Sequence, residues 1–176
     1  MKYVLLTTAL LALQIEVAGQ DIDPASPKTN VEKFQNRTNS VILKEYIDVS
    51  ETRTLSIQVV KMAVLPEKKD AISGVLISWG TTAIGVFQQT GQAYLDADEL
   101  DGVIKGIDSM LKMISEAIPQ NYTELELTTR TSLKLTAFPS KTAWNIALER
   151  LGHRQYIYTD DLFKIREALS AAKGKL

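Results

Sequence analysis

Cysteine is absent from the 176-residue chain. That excludes disulfides, a thiol nucleophile, cysteine-ligated metal sites and a lipid-attached amino-terminal cysteine, so stability has to come from the packed core. Histidine is reduced to His153, which cannot assemble a histidine-rich metal centre. It stands between Gly152 and Arg154 in an expected hairpin turn, where an exposed role is expected, and no Gly-x-Ser-x-Gly nucleophile elbow accompanies it. Neither Gly-x-x-x-x-Gly-Lys nor Gly-x-Gly-x-x-Gly occurs, so no nucleotide cofactor, and indeed no cofactor, is expected. Charge of one sign is also lacking: 20 Lys and Arg stand against 21 Asp and Glu, for a net charge of −1. A dedicated nucleic-acid surface needs a basic excess, so nucleic acid is an unlikely partner on composition. No segment reaches 18 uninterrupted apolar residues, so no stable membrane anchor is expected.

What is present begins with Lys2 followed by an apolar run from Tyr3 to Leu13 and the small residues Val17-Ala18-Gly19. Charge, apolar stretch and small residues in that order are the pattern of an export signal over residues 1–19, with cleavage after Gly19 or Gln20. The chain is therefore expected to be exported, periplasmic or secreted. About 157 residues remain, enough for one domain that buries roughly 70% of its unfolded surface. Residues 20–40 carry Pro24, Pro27, Asn30, Asn36 and Asn39 without sustained periodicity and read as a flexible arm, within which Val31 and Phe34 offer a single helical turn. A single globular domain is expected over 41–176.

Within that domain one pattern occurs twice. Tyr94-Leu95-Asp96-Ala97-Asp98-Glu99-Leu100 is echoed 62 residues later by Tyr156-Ile157-Tyr158-Thr159-Asp160-Asp161-Leu162. Behind Leu100 come Val103 and Ile107, and behind Leu162 come Ile165 and Leu169, the spacing of a helical stripe. Upstream of each copy lie short segments of strand period. In the first half these are Val41–Val49, Leu55-Ile57-Val59, Val75-Ile77-Trp79, a short strand over Ala83–Phe87, and Tyr94-Leu95. In the second they are Thr123–Thr128, Leu133–Phe138, Trp144–Leu148 and Gln155–Tyr158. After Val59 the phase switches to Val60, Met62 and Val64, which calls for a bulge or for a strand buried on both faces. The expected fold is α+β: two ββββα-like units, 41–118 and 122–176, with antiparallel sheet packed against two amphipathic helices. The first helix, with Leu100, Val103, Ile104, Ile107, Leu111 and Ile114 on one stripe, contains Gly102 and Gly106. A glycine inside a helix costs about 1 kcal/mol relative to alanine, so close packing against the sheet, or drift at a tolerant position, is implied.

Four groups of residues invite functional readings. The acidic run Asp96–Asp101 has the wrong register for an EF-hand, with Leu100 and Asp101 where a ligand and a glycine are required and Ile107 at the twelfth position, so helix capping is expected of it and of Asp160 and Asp161. Trp79, Tyr94, Trp144, Tyr156 and Tyr158 are able to stack bases or sugars, but core filling is the expectation. Lys164, Arg166, Lys173 and Lys175 form a modest basic strip expected to be a solvated helix face. Asn36-Arg37-Thr38 and Asn121-Tyr122-Thr123 fit the glycosylation pattern, which matters only in a eukaryotic secretory pathway.

Over Ala93–Lys105 and Asp161–Lys173 the chain resembles a group of exported bacterial proteins of unknown function, the likeness covering roughly Leu55 to Lys173. It implies a cell-envelope or secreted setting and no known activity or site residue. The order of elements is also similar to that of the Pur-alpha and Whirly nucleic-acid-binding proteins, without shared motif residues, an analogy of fold alone. No catalytic, cofactor-binding or metal residue is assigned. The expected function is a non-enzymatic binding or interaction domain, acting at a sheet face or in the groove between the halves on an unknown protein or small ligand, with a homodimer possible through exposed strand edges. Two alternatives are retained: a carboxylate-dependent envelope enzyme using Asp96 or Asp98 with Glu124 or Glu126, and a single-stranded nucleic-acid-binding module.

Overall fold

A computed structural model of the chain describes residues 29–52, 54–68, 70–80 and 90–176. The expected export signal over 1–19 and the expected strand over Ala83–Phe87 lie outside the described residues. The order is α1 (Asn30–Gln35), β1 (Val41–Glu51), β2 (Leu55–Leu65), β3 (Ala71–Gly80), β4 (Thr90–Asp96), α2 (Leu100–Ser115), β5 (Leu125–Thr128), β6 (Lys134–Pro139), β7 (Trp144–Arg150), β8 (His153–Ile157) and α3 (Thr159–Lys173). Two antiparallel meanders result, β1-β2-β3-β4 and β5-β6-β7-β8, each followed by a helix, so the α+β class and its two ββββα units are present.

One shared core joins the halves. Ile57, Val59, Val75, Ile77 and Leu95 from the first sheet meet Leu135, Ile146 and Leu148 from the second, with the helical stripes between them. The helices cross over, because α3 packs on β1 and β2 of the first sheet while α2 packs on β5 of the second, and the two helices lie against each other. Neither meander could bury its apolar face without the other half. The stripes coincide at the 62-residue offset: Leu100, Val103, Ile107 and Met110 are buried in α2, as are Leu162, Ile165, Leu169 and Ala172 in α3. The start of each helix repeats too. Asp96 N–H donates to Glu99 Oε1 at 3.0 Å, and Tyr158 N–H donates to Asp161 Oδ2 at 3.1 Å.

The two glycines of α2 differ in cause. A Cβ on Gly106 would lie 2.7 Å from Leu127 Cδ1 of β5, whereas one on Gly102 would meet nothing within 4 Å. Gly106 therefore permits the helix to approach the second sheet, and Gly102 is an open position. Gly102→Ala is expected to stabilise the protein by about 0.5–1 kcal/mol in urea unfolding. Gly106→Ala is expected to show no such gain, because Leu127 must yield.

The phase switch in β2 is a strand buried on both faces. Its pairing with β3 runs without interruption, and the irregularity in the first sheet falls instead in β1, between Asp48 and Ser50. Leu55, Ile57 and Val59 face the shared core, while Val60 and Met62 face outward beneath α1 with Leu76 and Tyr94. This corrects the reading of residues 20–40 as an arm over its described part. From Thr29 the chain is docked, with Val31 and Phe34 buried on the outer face of the first sheet. A Cβ on Gly74 would lie 2.6 Å from Val31 Cγ2, so the glycine makes room for the helix. A six-residue helix is unstable by itself, and α1 is held by its own capping box, Glu32 N–H to Thr29 Oγ1 at 3.1 Å and Thr29 N–H to Glu32 Oε2 at 3.3 Å.

Candidate functional site: an uncovered sheet face

The carboxylates singled out by sequence are occupied. Asp96, 3% exposed, ends β4 and accepts the backbone N–H groups of Asn30 (2.9 Å) and Val31 (3.0 Å), which caps α1 rather than the helix that follows it. Its remaining charge meets Arg130 Nη1 at 3.1 Å. Asp98 takes the same guanidinium in two bonds, 2.6 and 3.0 Å, and the Arg130 backbone N–H donates to Glu99 Oε2 at 3.1 Å. The paired guanidinium holds the Asp98 carboxyl below the usual carboxylate range, and the same bond raises the Arg130 pKa. The expected capping of the helix that follows is therefore corrected: Asp96 caps α1, far upstream, while Asp98 and Asp101 pair with Arg130 and Lys173, and the start of α2 has no side-chain cap.

Arg150, at the end of β7, completes this seam. It donates to Glu32 Oε1 (2.6 Å), to the Thr131 carbonyl (2.8 Å) and to the Gln92 carbonyl (2.8 Å), tying α1, β4 and the β5–β6 turn to the second sheet. Neither Arg130 nor Arg150 stood out in the sequence, because each is a lone residue with distant partners: Arg130 meets the single segment 96–99, and Arg150 meets three separate segments. Glu124 bonds the Tyr122 hydroxyl, and Glu126 pairs with Lys134 at 3.3 Å and accepts Thr128 at 3.0 Å. Asp96 and Asp98 therefore converge on an arginine and not on an open cavity, while Glu124 and Glu126 have separate partners. Among the described residues no group of three or more His, Asp or Glu side chains is placed to hold a metal ion, and no helix is long and apolar enough to cross a membrane.

The remaining candidates resolve similarly. His153 opens β8 after Leu151 and Gly152, both at positive φ, and is half-buried rather than exposed; its carbonyl accepts Trp79 Nε1 at 3.3 Å. The basic strip of α3 is largely exposed, and two of its members reach across to α2: Arg166 meets Asp108 at 2.8 Å and Lys173 meets Asp101 at 2.7 Å. Those bonds lower the Asp108 and Asp101 pKa values. The groove between the halves is filled, leaving a void of about 20 Å³ lined by Ile77, Val103, Leu135 and Ile165 among others.

The aromatic residues divide between the halves. Trp79 and Tyr94 fill core positions and Trp144 is partly buried, but Tyr156 and Tyr158 do not. Tyr94 and Tyr156 occupy equivalent places, each on the last strand of its meander and pointing to the outer face, yet Tyr94 is 6% exposed and Tyr156 58%. The cause is α1, which covers the first outer face and, among the described residues, has no counterpart on the second. Under α1, burial first and then the neighbouring Tyr46 push the Tyr94 hydroxyl up to about 12. A tyrosine pKa raised above its unfolded value of about 10 favours folding fully below pH 10, and that contribution is lost as pH rises through 12. Alkaline titration of circular dichroism is therefore expected to show a loss of stability between pH 10 and 12 that is diminished in Tyr94→Phe.

No described helix covers the second outer face. Strand register places Phe138, Asn145, Ala147, Arg154 and Tyr156 on it, and Tyr158, 82% exposed, follows at its edge. Phe138 and Tyr156 meet edge to face with centroids 6.5 Å apart. The flanking charges are balanced, Glu126 with Lys134 and Glu149 with Arg154. Phe138 was legible from the alternation of Lys134, Thr136 and Phe138 with the buried Leu135 and Ala137. No protein family, curated protein or solved structure matches the chain.

Proposed function

We propose that the chain is an exported, non-catalytic binding or interaction domain whose contact surface is the outer face of the second sheet. The observation that supports this reading is the asymmetry between equivalent faces: one carries α1, and the other presents Tyr156 and Tyr158 to solvent beside a half-buried Phe138. Exposed tyrosines supply large, rigid contact area at low entropic cost, the side-chain type enriched at protein contact sites. Balanced charge around them fits a protein partner better than a polyanion, which a basic excess would serve. The enzyme reading loses support because Asp96, Asp98, Glu124 and Glu126 are each engaged by a separate donor or share Arg130.

The test uses the exported protein purified from its host beside a Tyr156→Ala, Tyr158→Ala double variant. A reproducible companion is expected with the parent and lost at least tenfold with the variant, whose folding is checked by its melting transition. Equal recovery with both proteins contradicts the assignment of this face. Salt-sensitive retention of a single-stranded oligonucleotide by the parent alone would favour the nucleic-acid reading instead.

A further inference from the structure

The edges of the two sheets are unequal. The β4 edge lies against the second sheet, where Arg150 donates to the Gln92 carbonyl, and β5 and β8 have four and five residues. Strand β1 has 11 residues, lies at the end of its sheet and pairs on its outer side with no described strand. Such an edge is a template for another strand unless the chain protects it. An irregularity lies towards one end, between Asp48 and Ser50, where Lys175 Nζ also donates to the Asp48 carbonyl at 3.0 Å, and Lys44 and Glu45 are the exposed charges between Val41 and Ile47. From Val41 to Ile47 there is no proline, and Val41, Leu43 and Tyr46 are exposed.

We propose that this edge pairs antiparallel with β1 of a second copy, about a two-fold axis through Tyr46. The charges of the strand favour a second copy as occupant and this register. Directly opposed residues in an antiparallel pair share a face, so a two-fold pairing must pass through a residue. An axis at Lys44 or at Glu45 sets like charges against each other. An axis at Tyr46 sets Lys44 opposite Asp48 of the second copy and Asp48 opposite its Lys44, two attractive pairs on the same face for one axis. Existing bonds leave both groups able to respond: Lys44 donates one proton to Gln35 Oε1 at 3.2 Å, and Asp48 Oδ1 accepts from Gln58 at 2.7 Å. On the opposite face Leu43 would meet Val49. A cavity of about 390 Å³ beside the edge, lined by Leu43, Glu45, Lys61, Ala63, Ala71 and Leu176, would adjoin its twin across the axis. This inference is independent of the aromatic face on the second sheet.

The absence of native cysteine makes the test direct. Tyr46→Cys places a single thiol opposite its own copy, at the roughly 4.5–5.5 Å Cα separation that a disulfide spans. Mild oxidation of the purified chain is expected to give a disulfide-linked dimer, while Tyr122→Cys, on an exposed loop between α2 and β5, stays monomeric at the same concentration. In sedimentation equilibrium Lys44→Asp and Asp48→Lys are each expected to weaken dimerisation roughly tenfold, and the two together to restore it. A chain that stays monomeric at all concentrations, equal cross-linking at position 122, or a double reversal that remains as weak as either single change overturns the proposal.

Discussion

Asp96→Ala is expected to cost about 3–5 kcal/mol and to release α1 from the sheet. The carboxylate is buried, accepts two backbone N–H groups and meets Arg130, so its loss leaves the Asn30 and Val31 donors without their acceptor beneath a docked helix. Removing one partner from a buried, charge-assisted bond costs more than the bond is worth net, about 1–3 kcal/mol for each group left unsatisfied. The expected signature is local as well as global. In hydrogen exchange the amides of Asn30–Gln35 lose protection first, and urea unfolding shifts to a lower midpoint. Asp98→Ala, which removes an exposed partner of the same arginine, is expected to cost less than about 1 kcal/mol. Equal effects of the two substitutions would contradict the role assigned to Asp96.

Leu162→Ala is the second large effect, expected at about 3 kcal/mol. Leu162 is fully buried where α3 begins, in the core shared by both sheets. Deleting a buried leucine loses the transfer energy of its methyls and leaves a cavity, for about 2–5 kcal/mol in all. Leu100 holds the equivalent place at the start of α2 and is equally buried, so Leu100→Ala is expected to cost a similar amount. Both should lower the urea midpoint without changing the slope, because the cooperative unit remains the whole core.

These residues also mark what the sequence made legible. The helical stripes and the strand periods of the described residues are local patterns, and the structure keeps them, with Met110 also buried in α2. The doubled apolar parity of β2 announced burial on two faces, but not what covered the second. That cover is α1, formed with its own capping box and held against the sheet by Asp96, Arg150 and Gly74. A long-range cap has no local signature, and for the same reason the destination of the Asp96 carboxylate was misplaced. Tyr156 and Tyr158 were read as core because strand position alone cannot show whether the outer face has a lid. The α3 strip is solvated as read, but the partners of Arg166 and Lys173, Asp108 and Asp101, sit on the other helix and were not legible locally.

Native-state hydrogen exchange in the parent and in Leu162→Ala tests most directly whether the halves form one cooperative core. If they do, the slowest amides of α2, β2 and β3 open with the same free energy as those of α3 and β7, and the substitution in the second half lowers protection in the first by the same amount. Protection in β2 and β3 that persists unchanged while α3 and β7 lose theirs would contradict the account.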